Sequence, residues 1–151
     1  MTSRISGARV RAIAAGSPAA AAAKAVLEEV NWDPASIDTL VVSTPLGCNG
    51  GQSRELHRSL ALSDRCAAFD LSAGNGHVYG LWIASGIAAA ACDRVLLATT
   101  DDGDEYSVTA IERSSEGPAM VLILDSGSAS TAGRVATVAQ EAASRDVLCR
   151  I

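Results

Sequence analysis

At 151 residues the chain has room for one domain of ordinary size and not for two. Apolar residues make up 48 % of it against 19 % charged, and aromatics only 3 %, a mixture that describes closely packed helices and buried strands rather than a disordered chain. A formal charge of −5 leaves no basic stripe to neutralise phosphates, which argues against nucleic-acid binding.

The N-terminal stretch carries Arg4, Arg9 and Arg11 among short apolar pieces and lacks the continuous hydrophobic centre of a secretory signal. Arg4 to Ala14 is predicted as a first strand, with Val10 and Ile13 its strong β-formers. Ser17-Pro18 then marks a helix start: serine caps exposed amides, proline tolerates the first helical position, and Ala19 to Val30 continue with strong helix formers. Asn31-Trp32-Asp33-Pro34 is its stop.

Thr39 to Thr44 is a continuous apolar run between Asp38 and Pro45, the pattern of a central parallel strand. A glycine-rich loop, Gly47 to Gly51, leads into a polar helix from Gln52 to Leu62. Cys66 to Ser72 reads as a third strand, Asn75 to Cys92 as a long helix and Arg94 to Thr100 as a fourth strand. Asp101 to Gly117 is polar, with a helical stretch at Tyr106 to Glu112. Ala119 to Asp125 is expected as the fifth strand, and Arg134 to Ala139 as a last strand-like tail. Strands alternating with helices predict an α/β fold, a five-stranded mostly parallel sheet with helices on both faces, in a single domain over residues 1–151.

The helix from Asn75 to Cys92 is apolar all the way round, with Val78, Tyr79, Leu81, Trp82, Ile83 and Ile87 among alanines. It ends at Asp93-Arg94, short of the ~18–20 residues of a membrane span. One side can lie on its own sheet, and the other calls for a second layer. Leaving such side chains wet forgoes ~1.5–3 kcal/mol each, enough to drive association.

The run Phe69-Asp70-Leu71-Ser72-Ala73-Gly74-Asn75-Gly76-His77-Val78-Tyr79-Gly80-Leu81 resembles the active-site segment of ketoacyl synthase III, a thiolase-fold family with the pattern F-D-[IL]-S-A-A-C-S-G-F-V-Y-G-L. Ser36 to Thr44, Asp93 to Leu97 and Ser115 to Leu122 resemble other segments of that family in the same order, so the likeness covers residues 4 to 126, the N-terminal half of a ketosynthase. It implies a thiolase-like half-fold. Aligned back from Val78-Tyr79-Gly80-Leu81, with one residue deleted upstream, Gly74 stands at the position of the family's nucleophilic cysteine. Glycine has no side chain to attack a thioester. The family's catalytic histidine and asparagine belong to a C-terminal half that has no counterpart here.

Gly74, Asn75, Gly76 and His77 are the candidate ligand-binding residues, because the free amides and dipole of a helix N-terminus favour a carbonyl oxygen or an anion. Asn75 either caps the helix or presents its amide to a ligand; His77 either titrates or hydrogen-bonds at an interface or is merely packed or exposed. Cys48, in the exposed glycine loop, is the one thiol suited to replace the absent nucleophile, although no base is visible near it. Cys66 and Cys92 read as small core residues and Cys149 as a tail thiol. The four cysteines form no CxxC pair and, with two histidines, do not make a zinc site, so no metal or cofactor is expected. The acidic cluster Asp101-Asp102-Asp104-Glu105 lacks the spacing of a calcium loop and reads as a solvated surface.

These features predict a cytoplasmic, non-catalytic ketosynthase III-like protein in fatty-acid or polyketide biosynthesis. It pairs with itself through the Asn75–Cys92 helix and the Cys66–Leu71 edge strand, or with a ketosynthase or acyl carrier protein. Two alternatives stand beside it. One is a residual acyltransferase or thioesterase using Asn75, His77 or Cys48. The other is a nucleotide- or coenzyme A-binding module, since Gly74-x-Gly76-x-x-x-Gly80 opens a helix after a strand, though its spacing departs from the dinucleotide fingerprint.

Overall fold

Two apolar runs form the centre of the molecule, because strands buried on both faces need side chains that prefer both sides dry. They are β2 (Thr39–Thr44), buried at every position, and β4 (Arg94–Thr100), buried from its second residue on. The computed structural model describes residues 7–45, 50–72, 76–100 and 104–115. Around the central pair lie β1 (Gly7–Gly16), β3 (Ala67–Ser72) and β5 (Tyr106–Ser114), in the sheet order β1-β5-β4-β2-β3. β2 pairs in parallel with both β3 and β4, while β5 runs antiparallel to β4 and to β1. Four strands thus point one way and β5 alone opposes them, the mostly parallel sheet that the alternation predicts.

Tyr106–Ser114 forms a strand that the apolar pattern does not announce. Tyr106 to Glu112, read as helical, belongs to β5, paired on both sides. Its alternation explains this: Val108 and Ala110 face one core, and Ile111 the other. Ser107 and Thr109 are buried as well, so hydroxyls stand where a sequence pattern expects apolar groups. The segments 119–125 and 134–139 lie outside the described residues. β1 is placed at 7–16 rather than 4–14, and its pairing slips between Val10 and Ala12, which leaves Arg11 in a bulge. Arg9 and Arg11 consequently reach one carboxylate oxygen of Glu112, at 2.9 and 2.7 Å.

Burial pushes the Glu112 carboxyl up, but the hydrogen bonds and charges of Arg9 and Arg11 outweigh that and hold it below the usual glutamate range. A carboxyl held lower in the folded than in the unfolded chain adds stability that is present above the unfolded pKa of about 4.3 and is lost as pH falls through the folded value. Glu112→Gln is therefore expected to flatten the acid side of the stability profile, read as urea midpoints against pH. An unchanged slope would show that the pair contributes nothing.

Helices cover both faces. α1 (Ala19–Val30) and α2 (Gln52–Ser59) lie on one, where Ala22, Ala23, Val26, Leu27 and Leu56 close over Leu40, Val42, Leu96 and Ala98. The helix α3 (Gly76–Ala90) lies on the other, with Ala84 and Ala88 against Val41, Val95, Leu97 and Ile111. α1 begins without a side-chain cap, so Ser17 does not play the part its type suggests, and Pro18 is the boundary residue. Asn31 ends it in the left-handed conformation, its N–H returning to the carbonyls of Leu27 and Glu28. α2 stops at Ser59, three residues short of the expected end, because Ala61 turns to φ 49° and directs Leu60 and Leu62 into the core.

Strand starts are tied together by Asp38, whose Oδ2 accepts the backbone N–H groups of Asp93 and Arg94, both at 3.0 Å. The Arg94 guanidinium then lies 4.9 Å from the centre of the buried Trp32 ring. These links lock the β2 and β4 ends that lie opposite the start of α3.

Candidate functional site

The C-terminal ends of β2 and β4 meet the start of α3, the place where open α/β sheets carry their ligands. Two glycines bring the helix down onto the sheet. A Cβ on Gly76 would stand 2.8 Å from Ser43 Oγ, and one on Gly80 would stand 3.0 Å from Leu97 Cδ1 and 3.2 Å from Ser43 Cβ. The contact is fastened by Ser43 Oγ, which donates to the carbonyl of Gly76 at 2.9 Å. One turn of helix separates the glycines, and both face the sheet, so Gly76 and Gly80 serve close packing there.

His77 lies inside this contact, 3 % exposed, with Nδ1 hydrogen-bonded to Thr99 Oγ1. The structure thus packs it against β4. Ser43, Thr99 and Ser107 stand opposite one another on three adjacent strands and are all buried. A row of hydroxyls therefore runs under the N-terminal turn of α3. Sequence reasoning missed this row; its one signal is the polar pairs Ser43-Thr44 and Thr99-Thr100 closing two otherwise apolar strands. Gly74, Asn75 and Cys48 lie outside the described residues, as do Asp101 and Asp102 of the acidic cluster.

Asp70 is a second residue that sequence reasoning passed over. Its Oδ1 accepts the N–H of Ser53 at 2.8 Å, and its Oδ2 the N–H of Gly51 at 2.9 Å and the Ser53 hydroxyl at 3.0 Å. A carboxylate there satisfies amides that α2 leaves open at its start and suits the positive end of the helix. It also pins the chain that follows the glycine loop to β3.

The outer side of the α3 layer is apolar and wet. Among the described residues the exposed large hydrophobic side chains are Phe69, Tyr79 and Trp82, at 36, 49 and 62 %. Tyr79 and Trp82 lie one turn apart on α3 with ring centres separated by 6.5 Å. Phe69 pairs in register with Val41, which faces α3, so it points to the same side of the sheet. β3 itself borders the sheet and is exposed over Ala67 to Asp70.

The described thiols are inert by environment. Burial, and then the nearby Asp38 charge, push the Cys66 thiol up to about 11, and burial also raises Cys92. Cys66 is expected to resist iodoacetamide at pH 8 in the native protein and to label only in denaturant, as read by peptide mass spectrometry. Rapid native labelling would show that the strand opens locally. Among the described residues no group of three His, Cys, Asp or Glu side chains is placed to hold a metal ion, and no helix is long and apolar enough to cross a membrane.

No family model matches the sequence, and no curated protein matches it significantly. Solved structures do. The chain is similar to a 3-oxoacyl-(acyl-carrier protein) synthase from Burkholderia xenovorans LB400, at 20 % identity and a TM-score of 0.65 over 75 % of this chain and 50 % of that one. It is similar to 3-oxoacyl-(acyl carrier protein) synthase III from Pseudomonas aeruginosa PAO1, at 20 % identity and 0.59 over 70 % and 51 %. A third similar structure is the priming β-ketosynthase of the R1128 polyketide biosynthetic pathway, at 26 % identity and 0.57 over 66 % and 35 %.

A sheet of this order with helices on both faces, matched by these structures, gives the chain a thiolase fold. Within that class its fold is like those of the ketosynthase III structures, and it spans about half the length, or less, of the structures it matches.

Proposed function

We propose that this protein is a non-catalytic ketosynthase III-like subunit that pairs with a second copy of itself through the outer face of α3 and the free edge of β3, in fatty-acid or polyketide biosynthesis. The observation that carries the reading is the gathering of Phe69, Tyr79 and Trp82 on one face. An apolar patch of that kind on a protein surface marks an interaction site. The chain spans only about half of each of these matched structures. A second copy is the partner that supplies another sheet and another α3 from the same sequence.

The non-catalytic part of the reading rests on Gly74, which stands where the ketosynthase III pattern has its cysteine, and on the inert environment of Cys66. The pathway rests on the similar structures, which include a 3-oxoacyl-(acyl-carrier protein) synthase and the priming β-ketosynthase of a polyketide pathway. Multi-angle light scattering on the full chain is expected to give twice the 15.4 kDa chain mass. Incubation with acyl-coenzyme A or acyl carrier protein thioesters is expected to leave the protein unacylated by mass spectrometry. A monomer at micromolar concentration would overturn the pairing, and a stable acyl adduct would overturn the non-catalytic assignment.

A further inference from the structure

Three glycines lie on α3, and the single chain accounts for two of them. Gly76 and Gly80 let the helix close on Ser43 and Leu97, whereas a Cβ on Gly86 would meet nothing within 4 Å. A glycine inside a helix is less stable than an alanine, because it gives up more backbone freedom on folding. Among the described residues nothing near Gly86 offsets that cost. The exposed positions of α3 are Tyr79, Trp82, Gly86 and Ala90, spaced as one stripe along the outer side of the helix, with its bulk at one end and none at the other. No charged residue occurs from Gly76 to Ala90, in a chain whose formal charge of −5 makes copies repel at long range. Along this stripe a second copy can approach without setting like charges against each other.

We propose, resting on the self-pairing above, that two α3 helices cross antiparallel at Gly86 and seat Trp82 of each copy on the partner's Ala90. A two-fold axis at Gly86 brings the residue four before it over the residue four after it on the other copy. Bulk then meets a lack of bulk on both sides of the crossing. A parallel crossing would instead set Trp82 against the partner's Trp82, leave the small ends facing a gap, and align the two helix dipoles in the same direction. The three exposed aromatic side chains, Phe69, Tyr79 and Trp82, offer roughly 300 Å² on each copy. That is well short of the ~800 Å² that a stable pair buries on each side. Helices in contact at Gly86 bring the small end of the stripe and the half-buried Ile83 into the interface as well. The close approach that glycine permits is then the gain that answers its cost in the single chain.

Sedimentation equilibrium of the full chain reads the dissociation constant of the pair, and two sets of variants test the crossing. Gly86→Leu adds apolar surface and removes the cost of glycine in the diluted single chain, yet it is expected to weaken pairing at least about tenfold by holding the helices apart. Trp82→Ala and Ala90→Trp are each expected to weaken pairing at least about tenfold. The double variant W82A/A90W exchanges bulk for space on both sides of the crossing and is expected to recover most of that loss. Far-UV circular dichroism confirms that each variant is folded before it is sedimented. Unchanged or tighter pairing of Gly86→Leu, or a double variant that pairs no better than either single variant, would overturn the crossing at Gly86. A wild-type chain that stays monomeric would overturn the self-pairing itself, so the two failures are distinguishable.

Discussion

Gly80→Val is expected to lower the stability of this protein by about 2–3 kcal/mol, the cost of forcing extra atoms into a close-packed contact. Even a single Cβ at Gly80 meets Leu97, Ser43 and Thr99 at 3.0, 3.2 and 3.4 Å, and valine adds two methyl groups beyond it. The helix cannot back away freely, because Ser43 holds Gly76 by a hydrogen bond and His77 holds Thr99. A loss of that size is a large share of the ~5–15 kcal/mol that holds a domain together. Gly86 is the control on the same helix, since a Cβ there meets nothing within 4 Å. Gly86→Ala is expected to stabilise by about 0.5–1 kcal/mol, the helix-propensity gain without a packing cost. Urea unfolding midpoints at constant m-value separate the two. Equal midpoints for wild type and Gly80→Val would mean that α3 does not sit on the sheet as described.

Trp82→Glu is expected to convert the pair into monomers at micromolar concentration while leaving the fold unchanged. Among the described residues Trp82 is the most exposed of the large apolar side chains, so its removal leaves the cores of the protomer intact. In an interface the same residue type is a frequent anchor, worth ~2 kcal/mol or more, and that alone weakens association about thirtyfold. A carboxylate left unpaired in a dry contact adds to the loss. Light scattering across a concentration series reads the dissociation, and the urea midpoint of the diluted wild type checks that the monomer survives. If the variant stays paired, the α3 face is not the interface and the edge of β3 alone carries the contact.

The elements read correctly from sequence are those whose cause is local. β2 and β4 were legible because an apolar run bounded by Asp38 and Pro45, or closed by Thr99-Thr100, fits a strand dry on both faces. α1 was legible because its alanines follow Pro18 and stop at Asn31, the residue that takes the left-handed turn. β5 was not legible. Its Ser107 and Thr109 are buried only because β1 and β4 close on either side, and no local pattern announces partners so far away in the chain. The same holds for α2, which ends early at Ser59, before the turn at Ala61 that sends Leu60 and Leu62 into the core.

The site divides in the same way. In the sequence Gly76 and Gly80 form a glycine motif that opens a helix, which is equally the mark of a ligand loop and of a tight helix-to-sheet contact. Only their distances to Ser43 and Leu97 show the second use. His77 could be placed on a helix start by sequence, but its burial and its bond to Thr99 depend on which strand lies beneath it.

By itself the sequence determined the α/β alternation and a helix with more apolar surface than one sheet can cover, both of which follow from residue type and spacing along single segments; the glycine at the nucleophile position is what the resemblance to the ketosynthase III segment implies. The tertiary structure alone decided that α3 buries its small face, Gly80, Ala84 and Ala88, and turns Tyr79 and Trp82 outward. A helix that is apolar all round has no preferred side until a sheet is offered to it, and close packing over Leu97 and Ser43 then selects the face with no bulk.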